Sequence, residues 1–147
     1  MTLHIRPATE TDLPAIQALL SSASLPCADL TSSHIDFLVA DMGQRIVGVI
    51  GVEPMPPAGL LRSLAVSPDL RGTGLGKQLV SALETHAARQ GITGLTLLTE
   101  TAAPFFMQLG YAPLAREHVA AAVAATAEFR SLCPATATCL HKHIPLN

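Results

Sequence analysis

Apolar residues along this chain follow two different periods, and the two periods alternate over most of its length. Runs with the length and alternation of β-strands occur at His4–Arg6, Phe37–Ala40, Ile46–Val52, Gly59–Val66, Leu95–Thr99 and Thr136–Ile144. Helical spacing occurs from Leu13 to Leu20, from Thr73 to near Gly91, from Phe105 to Leu109, and in an alanine-rich segment from Ala120 to Arg130. Strands that alternate with helices predict an α/β (α+β) fold with a mixed sheet, and we expect residues 1–147 to form a single domain.

The composition narrows the classes of function. A formal net charge of -2 and an aromatic content of 3% give neither a basic face nor rings for stacking on bases, which argues against nucleic-acid binding. The N-terminus is polar and no apolar run approaches ~20 residues, so we expect no signal peptide, no membrane span and a cytoplasmic protein. The three cysteines form no Cys-x-x-Cys pair and are interpreted as reduced thiols.

One stretch of the sequence combines a strand, a glycine-rich turn and a helix. The strand ends at Val66, the turn contains Arg71 and three glycines, and the helix opens near Thr73. Such a turn presents backbone N–H groups and the positive end of a helix dipole to one point, which favours an anion such as a pyrophosphate. A Walker loop is excluded because the Gly-Lys pair is followed by glutamine, and the Gly-x-Gly-x-Gly spacing fits a dinucleotide fingerprint poorly. A turn without a ligand is the alternative.

The whole string LAVSPDLRGTGLGKQLV resembles the acetyl-coenzyme A (acetyl-CoA) signature of the GCN5-related N-acetyltransferases (GNAT). In that signature a strand ending in L-x-V leads to [RQ]-x-x-G-x-[GA], which matches Arg71, Gly74 and Gly76. The later segment FFMQLGY is similar to the F-Y-x-x-x-G-F segment of the same family. The resemblance implies a mixed, mostly antiparallel sheet that is flanked by helices and splayed at the acetyl-CoA site, between the strands Leu60–Val66 and Leu95–Leu98.

The same resemblance implies where the cosubstrate acetyl-CoA binds. Its pantetheine arm would lie along Leu64, Ala65 and Val66, and a backbone N–H near Ala65 or Val66 would stabilise the oxyanion. The pyrophosphate would be held by the loop residues Arg71, Gly72, Thr73, Gly74, Leu75, Gly76 and Lys77. The acetyl group would pass directly to an amine, with no metal and no covalent enzyme intermediate.

The acid and the base of the reaction depart from the family pattern. Many relatives carry a glutamate near the start of the Leu60 strand, where this chain has leucines, so Glu53 is the candidate general base and Glu100 is the second choice. A solvated carboxylate at a strand end is the alternative for Glu53. Phe106 stands where relatives often have a tyrosine that protonates the leaving thiolate. Tyr111 is the remaining candidate for that role, with a packed ring as the alternative.

Two further resemblances concern the acceptor. LLTETAAPFFMQLGY resembles a segment of N-acetylglutamate synthase acetyltransferase domains, and LLRSLAV, LLTETAAPFF, GY and FRSLCPATA together resemble small arsenic-resistance-associated GNAT members. Both imply a small-molecule amine substrate of amino-acid type, with Arg62 pairing with its carboxylate and Ser63 or Thr99 hydrogen-bonding it. An ion pair between Arg62 and an acid of the protein is the alternative.

Other functions stay open beside this one. A noncatalytic acyl-CoA-binding or arsenical-sensing module is one rival, because the family glutamate and tyrosine are missing. A protein or peptide N-acetyltransferase is another, and it would need an open peptide groove. Members of the family are often dimers, so a homodimer is a further expectation.

Cysteines and histidines near the C-terminus suggest a separate hypothesis. Cys139, His141 and His143 share one face of the predicted last strand, and together with Cys133 they could bind a metal or arsenite. The spacing matches no zinc pattern, and burial of small thiols in the core is the alternative, so we predict no metal site. Cys27 could line the acceptor pocket, with burial again the simpler account.

Overall fold

The computed structural model describes residues 2–31, 33–132 and 136–145, and it places seven strands of this part of the chain in one sheet. The strands are β1 (Leu3–Pro7), β2 (Asp36–Met42), β3 (Ile46–Met55), β4 (Ala58–Val66), β5 (Gly94–Thr99), β6 (Ala112–Pro113) and β7 (Thr138–His143). The helices are α1 (Leu13–Ser22), α2 (Leu75–Arg89), α3 (Ala103–Gln108) and α4 (Ala121–Ala124). Short 3-10 turns lie at Glu10–Asp12, Pro68–Leu70 and Arg116–His118, and a π-helical turn spans Glu128–Leu132. None of the helices in these ranges is long and apolar enough to cross a membrane.

The sheet is mixed and mostly antiparallel, as the sequence predicts. Its strand order is β1-β2-β3-β4-β5-β7-β6, and among the strand pairs of the described residues only β4 and β5 run parallel. Parallel neighbours require a crossover connection, which α2 supplies between these two strands. The predicted hairpin is confirmed as β2 and β3, and β3 and β4 pair as antiparallel neighbours in turn.

Helices cover both faces of the sheet. The buried residues of α2 recur at the predicted helical spacing, and they pack with Leu38 and Ala40 on one face of β2. The intervening Val39 belongs to the opposite face, where it packs with Ile16 and Leu20 of α1. Because successive side chains of a strand point to opposite sides, each face of the sheet has its own apolar core.

The strands β4 and β5 separate part of the way along their length. Their pairing begins with Ala58 opposite Gly94 and ends with Leu60 opposite Thr96, although both strands continue beyond these residues. The predicted splay of the sheet is therefore confirmed. It opens a cleft between the later parts of the two strands.

A β-bulge in β4 lies beside this splay. Val49 of β3 pairs with Ala65 and Gly51 pairs with Arg62, so β4 has one residue more than β3 between these two pairs. Ser63 within the bulge has a φ of 64°, in the left-handed region that most residues avoid. An extra residue of this kind bends its strand, and here the bend lies where the cleft opens.

The alanine-rich segment differs from the prediction of one helix over Ala120–Arg130. The structure ends α4 at Ala124 and forms the π-helical turn after it. The hydroxyl of Thr126 donates to the carbonyl of Val123 at 2.7 Å, and the N–H of Phe129 donates to the same hydroxyl at 3.4 Å. Side-chain hydrogen bonds of this kind compete with the helical pattern, so the single-helix prediction is wrong.

Two other boundaries also differ from the sequence prediction. The helix α2 begins at Leu75 rather than near Thr73, because Gly74 has a φ of 87° and therefore lies outside the helix. The last strand is shorter than predicted, and the strand β6 was not predicted because two residues carry no detectable period.

Candidate active site

The splay between β4 and β5 opens a cleft that consists of two adjoining cavities, of about 790 and 520 Å³. Leu64, Arg71 and Ala102 line both cavities and mark where they meet. The smaller cavity lies against the glycine-rich loop, and we call it the loop end. The larger cavity is lined by Arg62, Glu100 and other polar residues, and we call it the acid end.

The loop end contains nearly all of the residues predicted to bind the cofactor. Its lining includes Leu64, Ala65, Val66, Arg71, Gly72, Gly74, Leu75, Gly76 and Lys77. Thr73 is not in the lining; its hydroxyl donates to the carbonyl of Leu70 at 2.6 Å and holds the turn in shape. The end of β4 and the loop thus face one cavity, as the sequence pattern indicates.

The glycines of this loop serve two different purposes. Gly72 and Gly74 have φ angles of 81° and 87°, and a Cβ at either position would meet no described atom within 4 Å apart from those of its two chain neighbours. Their role is conformational, and the space beside them is open. Gly76 differs, because a Cβ there would lie 3.3 Å from the ring of Phe105. A side chain at Gly76 would therefore crowd Phe105.

Hydrogen-bond donors and positive charge converge at the loop end. The N–H groups of Leu75, Gly76 and Lys77 lie in the first turn of α2, where the helix offers them no acceptor. Arg71 and Lys77 are exposed, and neither forms an ion pair with a described residue. An anion at this point would meet a helix N-terminus and two cations together.

The acid closest to this loop in the sequence is engaged elsewhere. Asp69 accepts hydrogen bonds from Arg45 at 2.9 and 3.0 Å and another from the hydroxyl of Ser67. These contacts, led by those from Arg45, hold the pKa of Asp69 below its usual range. The carboxylate is therefore ionised and bonded to Arg45, so it does not neutralise Arg71.

The acid end is organised around the buried guanidinium of Arg62, whose side chain has 0% exposure. Two of its nitrogens donate to Asp29 at 2.6 and 2.7 Å, and Nη1 also donates to Glu53 at 2.9 Å. Nε lies 3.1 Å from the carboxylate of Glu128 and 3.1 Å from the hydroxyl oxygen of Ser63. Three carboxylates therefore lie around this one guanidinium.

Proton affinities in this group reflect a competition between burial and pairing. Burial by itself would lower the pKa of Arg62 and raise the pKa of Asp29. Hydrogen bonds and charge attraction within the group outweigh burial, so the pKa of Arg62 lies above its usual value and the pKa of Asp29 lies below its own. Both residues are therefore charged near neutral pH.

The residues predicted to bind the acceptor, Arg62, Ser63 and Thr99, all line the acid end. Arg62 is buried among three protein carboxylates, which would repel a further carboxylate from the substrate. The alternative, an ion pair with acids of the protein, is therefore the arrangement in the structure. The hydroxyl of Thr99 accepts a hydrogen bond from the N–H of Ala102 at 2.9 Å.

The predicted proton carriers lie in different places. Glu100 lines the acid end, whereas Glu53 is not among the described residues that line the two cavities. Tyr111 also lies outside both linings; its hydroxyl donates to Glu84 at 2.9 Å, and its ring meets Phe106 edge-on. Burial and the neighbouring Glu84 raise the pKa of Tyr111. The packed-ring alternative describes Tyr111, and the geometry does not support it as a proton donor to a group in the cleft.

Glu128 is an acid of the cleft that sequence reasoning missed. It lies in the π-helical turn, is 4% exposed, and lines the acid end. The single helix predicted for this segment does not indicate that the side chain of Glu128 faces the cleft. Its only signal in the sequence is that it is an isolated carboxylate in an alanine-rich segment, where an unpaired charge would be costly to bury.

The C-terminal residues considered for metal binding do not form a described cluster. Cys133 lies outside the described residues. Cys139 is buried, which raises the pKa of its thiol, and burial lowers the pKa of His141. Within the described part of the chain, no three His, Cys, Asp or Glu side chains are placed to hold a metal ion. Cys27 is half-buried, with its Sγ 3.8 Å from the hydroxyl of Ser21.

Comparison with known proteins identifies the family. Residues 33–113 match the family model of the acetyltransferase (GNAT) domain. The match covers more than half of the chain, so the chain belongs to the GNAT acetyltransferase family.

Curated relatives resemble part of the chain. N-acetyltransferase 8B of Rattus norvegicus is 38% identical over 94 residues, which are 56% of this chain and 40% of the relative. An amino-acid acetyltransferase of Pseudomonas putida is 33% identical over 88 residues, which are 58% of this chain and 20% of the relative. The chain therefore spans less than half the length of these curated relatives.

Solved structures resemble the chain over nearly its whole length. One neighbour is N-acetylglutamate synthase from Neisseria gonorrhoeae, complexed with coenzyme A and N-acetyl-glutamate, with a TM-score of 0.82 at 18% identity. The match covers 99% of this chain and 36% of the synthase chain. Another is a Mycobacterium tuberculosis protein in complex with CoA, with a TM-score of 0.80 at 22% identity. The match covers 97% of this chain and 99% of that protein's chain. At these identities the likeness establishes the fold.

Proposed function

We propose that the chain is an acetyl-CoA-dependent N-acetyltransferase that acts on the amine of a small, amino-acid-like acceptor. The observation that carries the proposal is the cleft itself, in which a loop end rich in N–H donors joins an acid end across the splay of β4 and β5. Each end suits one of the two substrates. They would meet beside the bulge of β4.

The loop end has the chemistry to hold the cosubstrate. Arg71, Lys77 and the first-turn N–H groups of α2 would bind the pyrophosphate. Beyond Leu60, β4 pairs with no described strand on the side of β5, so backbone groups near Leu64 and Val66 would pair with the amides of the pantetheine arm. When bound, acetyl-CoA supplies an activated acetyl group as its thioester.

A backbone N–H at Ala65 or Val66 would stabilise the negative charge that develops on the acetyl oxygen. Both residues line the loop end and lie directly after the bulge. A donor fixed in the backbone needs no reorganisation during the reaction, which is why such groups suit a short-lived oxyanion.

Two kinds of observation support an amino-acid-like acceptor: the names of related proteins and the sequence segments that the chain shares with them. Some of the curated relatives are amino-acid acetyltransferases, and one structural neighbour was solved with N-acetyl-glutamate. Ser63 and Thr99 line the acid end and would hydrogen-bond such an acceptor. We further propose a role in resistance to arsenical or other toxic amino-acid analogues, which rests on the sequence segments shared with small arsenic-resistance-associated members.

The proposal is tested by release of free thiol from acetyl-CoA in the presence of single amines. The panel contains L-glutamate, L-arginine, phosphinic and arsenical analogues of glutamate, spermidine and a short alanine-initiated peptide. Calorimetric titration with CoA runs alongside. We expect CoA binding and amine-dependent thiol release with the amino-acid-like members of the panel. Binding without release on any amine would favour a noncatalytic module, release on the peptide alone would favour a peptide acetyltransferase, and absence of CoA binding would contradict the assignment of the loop end.

A further inference from the structure

The acid end holds three carboxylates bonded to Arg62, but they differ in their access to the cleft. Glu128 lines the cavity, whereas Asp29 and Glu53 are not among the described residues that do so. We infer that Glu128 is the catalytic residue that receives the ammonium group of the acceptor and takes its proton. This inference rests on the proposed function and deepens it.

The position of Glu128 is fixed from two sides. The π-helical turn carries it to the cleft from the segment before β7, and Nε of Arg62 holds its carboxylate at 3.1 Å. The same Nε lies 3.1 Å from the hydroxyl oxygen of Ser63, which belongs to the bulge of β4. The carboxylate is therefore held next to the part of β4 where the acetyl group would lie.

The charges around Glu128 favour a cation in the cleft. Arg62 faces it from β4, with Asp29 and Glu53 bonded to the same guanidinium, and Arg71 and Glu100 line the same cavity. Three carboxylates gathered around one guanidinium would attract a further cation, so an ammonium group would be held favourably beside Glu128.

The proposed step balances as follows. The acceptor ammonium gives one proton to Glu128 and becomes a neutral amine, whose lone pair forms the N–C bond with the acetyl carbon. The C–S bond then breaks, and the thiolate takes the second proton from the nitrogen. Glu128 returns its proton to water after the products leave. The products are the acetylated amine, the free thiol and one proton.

The experiment compares Glu128→Asp with three isosteric variants of the full chain, each of which loses one carboxylate. Glu128→Gln removes the cleft-facing acid, Glu53→Gln removes an acid from the same guanidinium outside the cavity lining, and Glu117→Gln removes an exposed acid outside the cleft. The readout is kcat/KM from pH 6 to 10, with whichever named amine of the panel reacts fastest with the wild-type protein. The Kd for CoA and the melting temperature of each variant report on folding.

For Glu128→Gln we expect kcat/KM to fall about 100-fold at pH 7, with the Kd for CoA unchanged within twofold. The loss should shrink as the pH rises towards the pKa of the amine, because a substrate that arrives neutral needs no base. Glu128→Asp should keep the wild-type shape of the profile at a lower rate. Glu53→Gln should also keep that shape, and Glu117→Gln should match the wild type.

The inference would be overturned if Glu128→Gln kept the wild-type pH profile of kcat/KM. It would also be overturned if Glu53→Gln, and not Glu128→Gln, showed the loss that shrinks with rising pH. Either result would leave the proposed function standing. A wild-type protein that releases no thiol with any amine would overturn the proposed function and this inference with it. If Glu128→Gln loses CoA binding or melts at a markedly lower temperature while Glu128→Asp fails to keep the profile, the role of Glu128 is structural and the inference is wrong.

Discussion

The two ends of the cleft differ in where their polar and charged groups come from in the sequence. The loop end takes its donors and charges from the continuous segment Arg71–Lys77, together with the adjoining end of β4. The acid end is assembled around Arg62 from segments far apart in the chain, which contribute Asp29, Glu53 and Glu128. One end depends on backbone conformation that seven neighbouring residues determine, and the other depends on tertiary packing.

This difference separates the consequences of mutation. Cations at the loop end are exposed and free of protein partners within the described residues, so changing them should affect ligand binding more than folding. The charges at the acid end are buried and paired, so removing one partner leaves others uncompensated. The predictions below test this division, starting with the largest expected effect.

Arg62→Met should cause the largest loss of stability. It removes the guanidinium that Asp29, Glu53 and Glu128 share and leaves their carboxylates without this partner in a buried site. We expect the free energy of unfolding in urea to fall by about 3–5 kcal/mol. Arg45→Met is the matched control, because its ion pair is exposed, and it should change stability very little. Equal losses in the two variants would contradict the account of the acid end.

Gly74→Glu should have the largest effect on cofactor affinity. Gly74 has a φ of 87° in open space, so glutamate would bring backbone strain and a negative charge to the loop end. Gly91→Glu is the matched control, since Gly91 has a φ of 82°, is also in open space and lies just after α2. Both variants should lose about 1–2 kcal/mol of stability, and only Gly74→Glu should weaken CoA binding, by about 100-fold in calorimetry. If Gly74→Glu and Gly91→Glu bind CoA with equal affinity, the loop is not part of the CoA-binding site.

Arg71→Met should have a smaller effect on the same affinity. Loss of one charge-assisted contact to a phosphate should weaken CoA binding about tenfold and reduce its dependence on salt. Arg89→Met changes an exposed arginine in the last turn of α2, and it should bind CoA like the wild type. If the two variants bind alike, Arg71 does not contact the cofactor.

Acid titration should reveal the smallest effect, at the acid end. Because the pKa of Asp29 is lower in the folded protein than its usual value, its contribution to stability is full above about pH 4. That contribution is lost as the pH falls through the folded-state pKa. We expect Asp29→Asn to be less stable than the wild type at pH 7 and to approach it in urea unfolding near pH 3. A difference that stays constant with pH would contradict the assigned pKa shift.

Sequence reasoning succeeded where the determining interactions are local. Hydrophobic periods predicted the hairpin and the buried face of α2, and the motif around Arg71 and Gly74 predicted the loop. These features follow from neighbouring residues, whose backbone preferences and spacing are visible in the sequence. The splay was instead implied by the family resemblance that the motif carries.

Long-range contacts account for what sequence reasoning missed. Whether Arg62 faces a substrate or a protein acid depends on Asp29 and Glu53, which no local pattern brings to it. Glu128 was hidden for a similar reason, because a side-chain hydrogen bond of Thr126 ends the predicted helix and starts the turn that carries it. Tyr111 matched a motif position, but its hydroxyl is bonded to Glu84.

The central claim, that the two ends of one cleft hold the two substrates, is tested most directly by a crystal structure of the protein with CoA. The account predicts the pyrophosphate on Arg71–Lys77 and the thiol sulfur between β4 and β5, beside Ser63 and facing the cavity that Glu128 lines. A nucleotide bound elsewhere, or a thiol directed away from the acid end, would contradict it.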